Sequence, residues 1–130
     1  MASGAGEAVK RIESHRDLMV WQNAMDLVVQ VYDLTSRFPE TERYRLIAQA
    51  TRAAASVPAN IAEGHARGTR RDFANFVAVA KGSLMETETF LMIAIRLGYL
   101  QRDAADSTLE LITEISKMLT VLRQKLLRAS

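Results

Sequence analysis

One segment restricts the fold of this chain more than any other. It runs Gln49-Ala-Thr-Arg-Ala-Ala-Ala-Ser-Val-Pro-Ala-Asn-Ile-Ala-Glu-Gly64 and is built mostly of small residues. Its spacing is helical, yet Pro58 stands inside it. An interior proline removes one backbone bond and crowds the carbonyl four residues back, at a cost of roughly 3 kcal/mol. A helix that bears this cost needs packing on its flanks to offset it. The segment is therefore expected at the centre of a helical bundle, kinked at Pro58, with alanines that let neighbouring helices come close.

The rest of the chain suits such a bundle. At 130 residues it is one domain with enough length for its own core. No apolar run approaches the ~20 residues of a membrane span, so no membrane partner is expected. The absence of cysteine excludes thiolate chemistry and disulfides and fits a reducing, cytoplasmic setting. Residues 1–16 read as a flexible leader. Residues 17–128 read as the bundle, with helices over about 17–37, 41–67, 70–97 and 103–128.

The apolar periods support each helix. In the first, Leu18, Trp21, Met25, Val28 and Tyr32 mark one stripe, and Val20, Ala24, Leu27, Val31 and Leu34 mark a second. A stripe that broad belongs deep in a bundle or against another subunit. Phe38-Pro39 ends this helix. Leu46, Ala50, Ala53, Val57 and Ile61 line the second, which Gly64 and Gly68 are expected to stop. Thr69 with Asp72 predicts the third helix start. Phe73, Val77, Ala80, Leu84, Leu91 and Ala94 give its inner face, and Gly98 closes it. Asp103 is expected to cap the fourth, lined by Ile112, Ile115, Leu119, Leu122 and Leu126. With no alternating strand pattern and short connections, the fold class is all-α: an antiparallel, up-down-up-down four-helix bundle.

Charge is unevenly spread. Residues 38–71 hold six arginines (Arg43, Arg45, Arg52, Arg67, Arg70 and Arg71) against Glu40, Glu42 and Glu63. Arg67, Arg70 and Arg71 straddle the loop between helices two and three. Cations at a helix start oppose its dipole, so stabilising that helix is not their expected role. Guanidinium groups grip phosphate bidentately, which makes RNA or DNA backbone one reading. A solvated loop, or ion pairs to Asp72 or to another subunit, is the other.

Gln49, Arg52, Asn60 and Glu63 form the second group of interest. Each pair is three residues apart and shares a helix face. Together they read either as a small polar pocket or as a buried hydrogen-bond network that satisfies the groups freed by Pro58. His15 and His65 lack a carboxylate or second histidine at ligand spacing, and no nucleophile–base pair stands out. No metal, cofactor or catalytic residue is expected, and the enzyme reading is poor.

The run Ser56-Val57-Pro58-Ala59-Asn60-Ile61-Ala62-Glu63-Gly64 resembles the signature of the 23S rRNA intervening-sequence protein family. Leu18-Met19-Val20-Trp21 resembles its first-helix motif, and Phe38-Pro39 with Glu42-Arg43-Tyr44 its first turn. Ala80-Lys81-Gly82-Ser83-Leu84 with Glu86 resembles its third helix, and Leu97-Gly98-Tyr99-Leu100 its third turn. The likeness spans roughly residues 14–125. Two positions depart from the pattern: Arg45 replaces a usual glycine, and Thr51-Arg52 a usual arginine pair. The resemblance implies a four-helix bundle without an established activity. Related bundles are ring-shaped pentamers, and a similar fold serves as the basic, nucleic-acid-binding accessory protein of diversity-generating retroelements. The expectation is therefore a non-catalytic homo-oligomer, a pentamer by that likeness, that contacts RNA or DNA through its arginines. A protein-interaction scaffold and a small-molecule-binding bundle are the alternatives.

Overall fold

In the computed structural model, described over residues 14–128, four helices make the bundle: α1 (Met19–Thr35), α2 (Leu46–Ala66), α3 (Arg70–Arg96) and α4 (Arg102–Leu127). The expected leader falls largely outside the described residues. Its last part, Ser14 to Arg16, enters a short capped turn over His15–Asp17. There Ser14 and Asp17 cap each other's backbone, and His15 lies edge-on to Trp21 at 5.0 Å. Among the described residues each helix packs against its neighbours in chain order, and α4 closes back on α1. The fold is all-α, and short connections between consecutive helices that pack on each other make their order antiparallel.

The core runs along the axis through Leu27, Val31, Val57, Ile61, Val77, Leu84, Leu91, Ile112, Ile115 and Leu119, all fully enclosed. Alanines at 50, 54, 80 and 94 fill the narrow places between helices. Of the two stripes on α1, the second faces this core; Met25 and Tyr32 from the first stay exposed. The two stripes lie about a third of a turn apart on the helix wheel, and only neighbours at both flanks decide between them.

The second helix starts at Leu46, not near residue 41. Glu40–Glu42 form one tight turn, and Arg45 departs from helical angles at φ −118° and ψ −103°. Pro39 sets that turn, since its fixed φ begins a new segment rather than continuing the old one. Glu42 then holds two elements. One carboxylate oxygen accepts the Leu46 N–H at 3.3 Å, and the other accepts the Tyr99 hydroxyl at 3.0 Å. This ties the α1–α2 turn to the α3–α4 turn at one end of the bundle.

α2 continues through Pro58, whose ring is buried. Gly64 is not a stop. It is enclosed within α2, and a Cβ there would lie 2.6 Å from the Phe76 Cβ and 2.9 Å from a Phe73 ring carbon. The stop is Gly68, at φ 92°. Gly98, at φ 81°, closes α3 in a Schellman turn, with Tyr99 N–H bonding the Ala94 carbonyl and Gly98 N–H that of Ile95. Thr69 caps α3 as expected, accepting from Asp72 N–H at 3.1 Å. Gln101, not Asp103, precedes α4; Asp103 lies in its first turn, where a carboxylate favours the dipole. No helix among the described residues is long and apolar enough to cross a membrane.

Candidate nucleic-acid interface

An antiparallel bundle puts consecutive connections at opposite ends, and this separates the arginines. Arg43 and Arg45 lie in the α1–α2 turn, at the same end as Tyr99. Arg67, Arg70 and Arg71 lie at the other end, across the length of α2, about 30 Å at 1.5 Å per residue. Arg52 projects from the second turn of α2 and is exposed. The six arginines therefore do not form one patch.

Their partners differ too. Arg43 pairs with Glu40 at 3.3 Å and lies over the Tyr44 ring. Arg67 pairs with Glu63 at 3.3 Å and stacks over Phe76 at 4.9 Å. Both pairs are solvent-exposed, where such contacts are worth ~0–1 kcal/mol, so the guanidinium groups stay available to a stronger anion. Arg70 is committed. Its Nε donates to the Leu126 carbonyl at 3.2 Å and its Nη2 to that of Lys125. These are last-turn carbonyls of α4 that lack helical partners. The expectation that no arginine here stabilises a helix thus fails at Arg70: it opposes its own helix's dipole but caps the antiparallel neighbour's negative end. Arg71 is exposed and forms no ion pair among the described residues.

The charge distribution is a property of the whole bundle. The half holding the α2–α3 loop comprises residues 14–27, 56–83 and 115–128, with nine Lys or Arg against four Asp or Glu. The other half, residues 28–55 and 84–114, has six against nine. Arg123, Lys125 and Arg128 from the last turns of α4 join Arg67 and Arg71 at the basic end. Along its own sequence α4 turns from acidic (Asp106, Glu110, Glu114) to basic (Lys117, Arg123, Lys125, Arg128), which matches its dipole. Antiparallel topology is what brings its basic end beside the loop arginines.

The polar group around Pro58 is not the expected network. Gln49, Arg52 and Glu63 are exposed. Asn60 alone is half-buried, and its amide donates to the Ser56 carbonyl and hydroxyl, each at 2.8 Å. Ser83 on α3, which no spacing argument singled out, completes the set by donating to the Ser56 hydroxyl at 2.9 Å. The outcome is a small seam between α2 and α3. It neither forms a pocket nor reaches the carbonyl of Ala54 that Pro58 leaves without a helical partner. The helical angle explains this: Gln49, Arg52 and Glu63 lie on the outer side of α2, opposite the buried Ala50, Val57 and Ile61.

At the acidic end, the bond to Glu42, with desolvation and the nearby carboxylate charge, raises the Tyr99 phenol above its ordinary value, while Arg45 pulls it down. No group of three His, Asp or Glu among the described residues could hold a metal ion.

A crystal structure of a protein of unknown function from the S23 ribosomal protein family, from Bacteroides thetaiotaomicron VPI-5482, is similar to this bundle. It superposes with a TM-score of 0.73 at 28% identity, covering 82% of this chain and 99% of that one. No curated protein matches the sequence. The family model for 23S rRNA-intervening sequence protein matches residues 16–121, which takes in α1 to α3 and α4 as far as Val121, with Arg67 and Arg71 but not Arg123, Lys125 and Arg128. By that match, the chain belongs to the 23S rRNA-intervening sequence protein family.

Proposed function

We propose that this protein is a non-catalytic, self-associating bundle that holds RNA by its phosphate backbone through the basic end. The observation that carries this reading is the charge asymmetry: nine cations against four carboxylates in one half, six against nine in the other. Exposed arginines and lysines without base-reading geometry favour backbone contact over sequence readout. Arg67, Arg71, Arg123, Lys125 and Arg128 are the contact residues. Arg43, Arg45 and Arg52 lie toward the other end and do not take part, and Arg70 serves the fold. The family name, with its reference to ribosomal RNA, agrees with RNA as the anion.

Self-association draws on the apolar surface that the fold leaves outside, above all Met25, Val29 and Tyr32 on α1. In a ring, such as a pentamer, with bundle axes side by side, the basic ends would repeat around one rim and multiply the phosphate contacts.

The test is RNA affinity as a function of salt. For single strands, log K falls by about 0.7 per phosphate contact for each log unit of salt. Replacing Arg67, Arg71 and Lys125 together by glutamine is expected to reduce the slope by about 2. The matching change at Arg43, Arg45 and Arg52 is expected to leave it unaltered. Equal loss in both variants would refute the assignment to one end. Binding without salt dependence would refute phosphate contact altogether, and a protein-interaction scaffold would take its place.

A further inference from the structure

The apolar surface of α1 and a cleft on the opposite side of the bundle match each other. Met25, Val29 and Tyr32 follow the spacing i, i+4, i+7 and are 42%, 68% and 57% exposed. Asp26 sits beside them and makes no ion pair among the described residues. Across the molecule, α3 and α4 enclose an open cleft of about 470 Å³. Its α3 wall carries Ala78, Gly82 and Met85, again at i, i+4, i+7, so the two rows have the same length. Lys81 and Arg123 flank the cleft.

Gly82 is the residue that needs an explanation. It lies in the interior of α3, where glycine is the least favoured residue apart from proline. Unlike Gly64, it has nothing within 4 Å of where a Cβ would stand, so no packing inside the chain calls for its bareness. A bare backbone bordering an open cleft suits close approach by something from outside. The charges fit as well. Lys81 donates to the Thr120 hydroxyl at 2.6 Å and Arg123 donates by its Nε to the Ala74 carbonyl, which positions both cations while leaving further N–H groups for a carboxylate.

We propose that the outer face of α1 in one copy of this chain seats in the α3–α4 cleft of the next. Large side chains at 25 and 29 meet the small ones at 78 and 82, and Asp26 meets Lys81. Stripe and cleft are different surfaces, so the contact is head-to-tail and leads to a closed ring or an open filament rather than a two-fold dimer. This inference rests on the self-association proposed above and names the surfaces that would carry it.

The chain has no cysteine, which makes a disulfide test clean. Full-length Val29→Cys and Gly82→Cys are mixed under mild oxidation and run without reductant, alongside light scattering of the unmodified protein. The expected result is a cross-linked dimer from the mixture and none from either variant alone, because bonding needs the two Cβ atoms about 4 Å apart. An oligomer whose mixture fails to cross-link, or one in which Val29→Cys bonds to itself, overturns the proposed contact but leaves self-association standing. A monomer at all concentrations overturns both. Gly82→Leu provides a second arm that the fold accommodates, since the site is open. It is expected to raise the dissociation constant at least tenfold with an unchanged far-ultraviolet spectrum, and an undiminished oligomer would overturn the contact.

Discussion

Gly64→Ala sets two forces against each other at one position. Alanine is favoured over glycine in a helix interior by about 1 kcal/mol, though Gly64 is close enough to the end of α2 to gain less. Against this, the new methyl would stand 2.6 Å from the Phe76 Cβ and 2.9 Å from the Phe73 ring, with the Phe73 carbonyl at 3.3 Å. The Cβ of Phe76 is fixed to its backbone and cannot rotate aside, so α2 and α3 must separate. Overpacking of this kind costs about 1–3 kcal/mol, and an unyielding neighbour puts the case toward the upper part. The net expectation is a loss of about 2 kcal/mol, or a fall in Tm of about 8 °C for a chain between the size classes of known scaling. Gly82→Ala is the built-in control, since the same change meets open space. Measured at dilutions where the chain is monomeric, it is expected to raise Tm by about 2–4 °C through helix propensity alone. Thermal unfolding followed at 222 nm reads both. If Gly64→Ala also stabilised the protein, the close approach of α2 and α3 at this corner would be wrong.

Other substitutions probe separate joints. Arg70→Ala is expected to speed hydrogen exchange in the last turn of α4 while leaving the salt slope of RNA binding unchanged; the reverse pattern would make Arg70 an RNA ligand. Ser83→Ala removes the α3 member of the Ser56–Asn60–Ser83 seam, at an expected cost of about 1 kcal/mol in urea unfolding. Tyr99 is expected to titrate above free tyrosine in ultraviolet absorbance, and Glu42→Gln is expected to bring its midpoint down. Because the phenol's pKa is raised in the folded state, its contribution to stability is complete below the unfolded value and disappears as pH rises through the folded one. Stability of the wild type should therefore fall more steeply in that alkaline window than stability of Glu42→Gln.

The elements were legible because helical periodicity and end signals agree along most of this chain. Val77, Leu84 and Leu91, or Ile112, Ile115 and Leu119, can only be one face of a helix, and Thr69 with Gly98 marks the limits of α3. Decisions that rest on a neighbour were not legible. Gly64 and Gly68 look alike in sequence; one is bare because Phe73 and Phe76 press against it, the other because φ is positive. Ser83 earns its place from Ser56, twenty-seven residues earlier. Gln49, Arg52 and Glu63 share spacing with Asn60, but spacing does not reveal which side of α2 meets α3.

The same limit governs the candidate interface, and electrostatics explains why the basic end survives folding. Antiparallel packing places two helix N-termini and two C-termini at each end, so the macrodipoles of α1 to α4 largely cancel there. Side-chain charge is not subject to that cancellation. The acid-to-base gradient along α4 would offset its own dipole in an isolated helix, but within the bundle that dipole is already opposed by α3. The cations at 123, 125 and 128 thus remain as uncompensated charge beside Arg67 and Arg71. Of the two arginines in the first turn of α3, Arg70 is the one drawn onto the carbonyls of α4, which eases the local conflict and pins the two basic segments together. Breaking that clamp should loosen the basic end before it weakens any phosphate contact. Structural and binding arginines can therefore be told apart at this site, by exchange rates for Arg70 and by salt slopes for Arg67 and Arg71.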